Sequence, residues 1–165
     1  MSGMWCKESC EDQNMTKINE IKKEYAAFSK ENSMPKFEEL DEIFEIRAID
    51  LERGNLANSI IRIIMNTINT YLDLTYPIVN PNPNSFYSMS LHSYVTEKDK
   101  EKITKLYSTL IPFQLEGTKA LLGSNKEKAE YINKVHKSYP EIISRIREST
   151  NLFVDSWEKS MKEND

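Results

Sequence analysis

Apolar residues recur at steps of three and four along most of this chain, and only 4 glycines interrupt its 165 residues. The spacing is clear where Ile18, Ile21, Tyr25 and Phe28 follow one another. Steps of this size place side chains on one face of an α-helix, whereas strands alternate every second residue. Sandwiches, barrels and dinucleotide-binding folds also need glycine-rich turns. The pattern therefore predicts an all-α protein.

Prolines, glycines and capping residues divide the chain into five or six predicted helices. The predicted breaks lie at 32–35, at Gly54, at Pro77, at Gly123 and at Pro140. Helices in series without a repeat period are typical of an antiparallel bundle. Residues 1–14 carry no apolar periodicity and are predicted to be a flexible tail, and residues 15–165 are predicted to be a single helical-bundle domain.

The segment 78–95, between the third and fourth predicted helices, has the least regular sequence. Alternating Asn and Pro residues oppose helix through Asn84, and a run rich in aromatic residues follows. Long loops are uncommon in compact domains and are often functional. We therefore predict a long aromatic loop that contacts a partner, with packing over the end of the bundle as the alternative.

The second predicted helix, 35–53, carries more apolar residues than one buried face requires. Ile43 and Ile46 lie outside its main apolar stripe, which indicates packing on two sides or an interface. Together with the loop, this helix predicts a surface that binds a protein partner or a second copy. The residues assigned to this surface are Ile43, Ile46, Phe86, Tyr87, His92 and Tyr94.

The same helix is acidic, with seven acids against three bases in residues 33–53. Its run Glu38-Glu39-Leu40-Asp41-Glu42 resembles the Glu-Glu-x-x-Glu half of the all-helical nucleotide pyrophosphohydrolases of the MazG type. That resemblance implies Mg²⁺ binding next to a nucleoside triphosphate. The family's second half is a Glu-x-x-Asp on the following helix, where this chain has Asn66, Asn69 and Asp73 but no Glu.

A polar stripe on the third predicted helix gives a second candidate site. It could line a pocket in which Arg62 binds an anion beside the acidic helix. Alternatively, Arg62 pairs with that helix and the amides face water. The residues assigned to this pocket are Glu38, Glu42, Glu45, Arg62, Asn66 and Asp73.

Composition limits the remaining function classes. The net charge of −4 and the lack of a basic stripe mean that nucleic acid is not the expected partner. Cys6 and Cys10 could form a disulfide or half of a metal site. No stretch is apolar enough to span a bilayer and no signal peptide is evident, so we expect a cytoplasmic protein that does not bind membranes.

These patterns favour a non-enzymatic helical protein-interaction module without a cofactor. Neither His92 nor His136 follows a Glu by three residues, so the ligands of a carboxylate-bridged metal centre are missing. The chain also has no glycine-rich phosphate loop. The alternative is an enzyme that uses a small ligand or a divalent metal at the Glu38–Glu45 face with Arg62 and Asp73.

Overall fold

The structure is a computed structural model that describes residues 5–50 and 55–162, with side chains from residue 15 onward. Helices account for most of this part of the chain, and it contains no strand. The predicted all-α class is confirmed. The helices are α1 (Trp5–Asn32), α2 (Phe37–Phe44), a 3₁₀ turn (Ile46–Ala48), α3 (Leu56–Val79), α4 (Phe86–Tyr94), α5 (Glu97–Leu122) and α6 (Asn125–Lys162).

The chain divides into two compact units. Unit 1 contains the described residues up to Ile64 together with 120–136, and unit 2 contains 65–119 together with the described residues from Lys137 onward. Helices α3, α5 and α6 each contribute residues to both units. This division does not test whether residues 15–165 form a single domain, so that assignment stays a prediction.

In unit 1, α1 packs on α2 through aromatic and aliphatic side chains. Tyr25 meets Phe37 edge to face with ring centroids 5.5 Å apart, and its hydroxyl donates to the carbonyl of Pro35 at 2.6 Å. Burial of Tyr25, with the carboxylates of Glu39 and Glu38 nearby, raises the pKa of its hydroxyl above the ordinary value. The fully buried side chains of this unit include Ile21, Leu40, Ile46, Ile60, Ile61, Ile64 and Ile132.

Helix α2 is shorter than the sequence predicted, because it ends at Phe44 rather than near Arg53. Glu45 adopts a left-handed conformation with φ of 53°, which stops the helix. The chain then turns, so Ile46 and Ile49 enter the core with 0% and 4% of their surface exposed. Of the apolar residues that suggested a second buried face, Ile46 belongs to this turn, whereas Ile43 lies in α2 and is half-buried. The predicted cap at Gly54 lies outside the described residues.

Three prolines lie inside helices, and two of them were expected to end a helix. Pro77 is in α3, Pro112 in α5 and Pro140 in α6. The breaks predicted at Pro77 and Pro140 are therefore wrong. An interior proline costs about 3 kcal/mol. Burial on both sides of it can offset this cost, and α6 has buried residues before Pro140 (Ile132, Val135) and after it (Ile142, Ile146).

The ends of the helices follow local side-chain chemistry at several points. Ser124 and Glu127 form a capping box at the start of α6, with the Ser124 amide donating to Glu127 at 2.7 Å. Thr96 likewise accepts from the Asp99 amide at 3.3 Å. Ser33 lies in the predicted break at 32–35 and has a φ of 50° just after α1, and Lys36 is the residue that precedes α2. Helix α1 begins at Trp5, so residues 5–14 of the predicted tail are helical.

In unit 2, the connection between α3 and α4 is shorter than predicted. Only residues 80–85 are non-helical, because Phe86–Tyr94 form α4. The predicted aromatic loop is thus mostly a helix. Helix α4 packs through Leu91 into a cluster that also contains Ile78, Val95, Ile103 and Phe153.

Candidate functional site

The aromatic segment of unit 2 is positioned by hydrogen bonds within its short connection. The Asn82 side chain accepts from the Asn84 amide at 3.0 Å, and the Ser85 amide donates to the Asn82 carbonyl at 3.0 Å. The Ser85 hydroxyl then caps α4 by accepting from the Ser88 amide at 3.3 Å. The alternating Asn and Pro residues therefore form a turn and a helix start instead of a long loop.

Ser88 ties this turn to the end of α3. Its hydroxyl accepts from the Asn82 amide at 2.9 Å and donates to the Pro77 carbonyl at 3.3 Å. The helical partner of that carbonyl would be the amide of residue 81, which is a proline and has no N–H. The hydroxyl therefore supplies a donor that the backbone lacks, and Ser88 is 3% exposed.

The first residues of α4 point away from the buried side of that helix. Leu91 is fully buried, whereas Phe86 is 60% exposed and Tyr87 is 44% exposed. Both rings contact the half-buried Trp157 of α6, with centroid distances of 5.9 Å and 5.8 Å. We call Phe86, Tyr87 and Trp157 the aromatic surface. Edge-to-face and tilted ring contacts hold such side chains in defined positions.

Helix α6 extends this surface with aliphatic residues. Val154 and Met161 lie three residues before and four after Trp157, which places all three on one side of the helix. Val154 is 51% exposed and Met161 is 47% exposed. Exposed charged residues of both signs occur along the same stretch of α6: Asp155, Glu158, Lys159 and Lys162.

The other residues predicted to bind a partner are less accessible. Ile43 is half-buried and Ile46 is fully buried, and both belong to unit 1. His92 and Tyr94 are half-buried in α4. Of the six, only Phe86 and Tyr87 have largely exposed side chains, and these two share one surface in unit 2.

The six residues of the predicted polar pocket are all exposed. Glu38, Glu42, Glu45 and Arg62 belong to unit 1, and Asn66 and Asp73 belong to unit 2: each unit holds part of the set. Within the described side chains, no group of three or more His, Cys, Asp or Glu residues is placed to hold a metal ion. The alternative of a metal- or ligand-dependent enzyme stays a prediction. The side chains of Cys6 and Cys10 lie outside the described set.

The acidic helix contains ion pairs that the sequence did not predict. Lys22 of α1 approaches Glu38 at 3.3 Å; a backbone hydrogen bond and this lysine lower the pKa of Glu38. Asp41 has only 5% of its side chain exposed and pairs with Arg47. Burial opposes ionisation of Asp41, but hydrogen bonds from the Arg47 side chain and amide lower its pKa below the ordinary value.

Trp157 is the residue of the aromatic surface that was not among the predicted interface residues. It belongs to a stripe with Ile142, Ile146, Phe153 and Met161, and the structure buries the first three of these but leaves Met161 exposed. At 100° per residue, Trp157 and Met161 lie roughly 60° and 100° around the helix from Ile142. The sequence alone therefore places Trp157 and Met161 at one edge of the apolar stripe, which indicates that they are more exposed to solvent than the residues at its centre.

Comparison with known proteins finds no family model, no curated protein and no solved structure that matches this chain. Within the part of the chain that the structure describes, no helix is both long enough and apolar enough to cross a membrane.

Proposed function

We propose that this chain is a non-enzymatic helical protein-interaction module that binds its partner through the aromatic surface. The observation that carries the proposal is the exposure of Phe86 and Tyr87 beside Trp157 in unit 2. Aromatic side chains that pack on each other yet remain open to solvent are enriched at protein interfaces. The predicted interface residues Phe86 and Tyr87 are part of this surface.

Burial of these rings would supply much of the binding free energy. Covering apolar surface contributes roughly 25 cal/mol per Å². Trp and Tyr are also among the residues whose truncation costs most at interfaces. The Ser85 cap and the Ser88 hydrogen bonds fix the start of α4, so little conformational entropy is lost when a partner binds.

The chemistry of the surface suggests an apolar partner with a mixed charged border. Val154 and Met161 extend the apolar area, while Glu158 and Lys159 carry opposite charges beside it. A second copy of the chain would meet these conditions, because a two-fold interface brings the same patch against itself. A different protein with an apolar helix face would meet them as well.

The first experiment is size-exclusion chromatography with light scattering on the full chain at several concentrations. The test variant replaces Phe86 and Tyr87 with Ser. The control replaces Leu115 with Ser, because this residue is 66% exposed in α5 of the same unit. We expect the wild type and the control to form a concentration-dependent oligomer and the test variant to stay monomeric.

A partner other than a second copy requires a parallel affinity capture with the same three proteins. A specific partner would be retained by the wild type and by L115S, and lost with F86S/Y87S. A wild type that is monomeric at every concentration, and that captures nothing the double variant fails to capture, would contradict the proposed function.

A further inference from the structure

A hollow of about 280 Å³ lies between α5 and α6 within unit 2. Small-molecule sites span roughly 300–1,000 Å³, so this hollow suits a ligand at the small end of that range. It is lined on α5 by Lys102, Ile103, Lys105 and Leu106, and on α6 by Arg145, Glu148, Ser149 and Leu152.

The floor of the hollow is apolar. Ile103 and Leu106 are 1% and 2% exposed, and Leu152 is half-buried. A second hollow of about 80 Å³ shares Leu106 and Arg145 with the first and is also lined by Phe113 and Ile142. The two hollows are therefore neighbours along the same two helices, and we call them together the α5–α6 groove.

The rim of the larger hollow has an excess of positive charge. Three cations line it against the single carboxylate of Glu148, and Lys102 already pairs with that carboxylate at 2.9 Å. Arg145 pairs with Glu141 at 2.5 Å. Lys105 makes no ion pair with any residue of 15–50 or 55–162, so its charge is not neutralised by a neighbour in that part of the chain.

We propose that the α5–α6 groove binds a free aliphatic carboxylate of medium chain length. The carboxylate lies against Lys105 and Arg145, and the tail covers Leu106 and the rest of the apolar floor. A charged head beside an apolar tail matches a site in which cations border buried aliphatic side chains. This binding activity is independent of the proposed protein interface.

The test uses decanoate and decanol as probes of equal chain length, each titrated into the full-length chain below the concentration at which it aggregates. Amide NMR spectra report both the affinity and the position of binding. We expect decanoate to shift the amide signals of Leu106 and Ser149 and to bind roughly tenfold more tightly than decanol, because only the acid gains charge-assisted hydrogen bonds. Equal affinities would overturn the charge argument.

Three variants locate the site. K105A/R145A removes the cations, and S149L fills the hollow from α6, where Ser149 is 5% exposed. K119A removes an exposed α5 lysine that does not line the groove. We expect the first two to weaken decanoate binding about tenfold or more and the control to leave it unchanged.

Circular dichroism establishes that each variant is folded, and decanol binding by K105A/R145A is a second check. That variant should bind decanol as the wild type does, because its apolar floor is intact. The proposal is wrong if decanoate causes no shifts, shifts residues outside the groove, or binds S149L and the wild type alike.

Discussion

At the scale of single residues, Asp41 stabilises the turn that follows the acidic helix. Its carboxylate accepts from the Arg47 amide at 2.8 Å and from the Arg47 Nε at 2.6 Å. These bonds close the chain back on α2 just after the left-handed Glu45. The sequence showed an acidic run, in which Asp41 looks no different from its neighbours. Only the folded chain distinguishes the buried carboxylate from the exposed ones.

The change D41N should lower the free energy of unfolding by about 1 to 3 kcal/mol at pH 7, because the buried site loses its charged acceptor. The pKa of Asp41 is lowered in the fold, so its stabilisation is present above the unfolded value of about 3.9 and is lost as pH falls through the folded value. Urea denaturation at pH 7 and at pH 3 measures this contribution.

The matched control for that prediction is E42Q, which alters an exposed acid on the same helix and should change stability by no more than about 0.5 kcal/mol. The deficit of D41N relative to the wild type should shrink at pH 3, which lies below the unfolded value of about 3.9, because the unfolded chain takes up a proton on Asp41 at a higher pH than the folded chain does. An equal deficit at both pH values would show that the charge of Asp41 contributes nothing.

At the scale of elements, one hydroxyl joins the start of α4 to the end of α3. Replacing Ser88 with Ala removes the partner of the Pro77 carbonyl and of the Asn82 amide. Both hydrogen bonds are partly buried, so the cost lies toward the lower end of the roughly 1 to 3 kcal/mol that a fully buried group without a partner costs. We expect S88A to lose stability of this size, and faster hydrogen exchange at the amides of α4. S93A, which alters an exposed serine of the same helix, is the control; similar exchange in both variants would contradict the role of Ser88.

The sequence predicted most of the helices correctly, because apolar spacing and capping boxes are local signals. The capping box at Ser124 needed only residues 124–127. The errors arose where a distant group decides the outcome. The Ser88 hydroxyl bonds both the Asn82 amide and the Pro77 carbonyl, and Pro140 stays helical although local preference opposes it. Capping signals were present at Ser85, but the alternating prolines obscured them.

The candidate sites were harder to predict than the fold. Phe86 and Tyr87 were found because a run of aromatic residues after alternating Asn and Pro is conspicuous in sequence. Ile46 was assigned to the interface on the assumption that the second helix runs to residue 53. That helix ends at Phe44, and Ile46 is buried in the turn that follows. The α5–α6 groove gave no sequence signal. Lys105 and Arg145 are 40 positions apart in the chain, and only the packing of two helices places them on one rim.

At the scale of the whole molecule, the two proposed binding surfaces differ in how they respond to ionic strength. The chain has a net charge of −4, so two copies repel each other at low salt. The aromatic surface binds by covering apolar area, which salt does not screen. The α5–α6 groove depends on Lys105 and Arg145, whose attraction for an anion is screened over roughly 10 Å at 0.1 M salt and 3 Å at 1 M.

Raising NaCl from about 0.02 M to about 0.5 M should therefore weaken decanoate binding without weakening self-association. Self-association, followed by light scattering, should hold or strengthen as the repulsion between copies is screened. The dissociation constant for decanoate should rise several-fold, and that for decanol should hardly change. F86S/Y87S is the control that lacks the rings of the aromatic surface, and K105A/R145A is the control that lacks the cations of the α5–α6 groove. Self-association that weakens as the salt concentration rises would mean that charged residues, rather than Phe86 and Tyr87, hold the copies together.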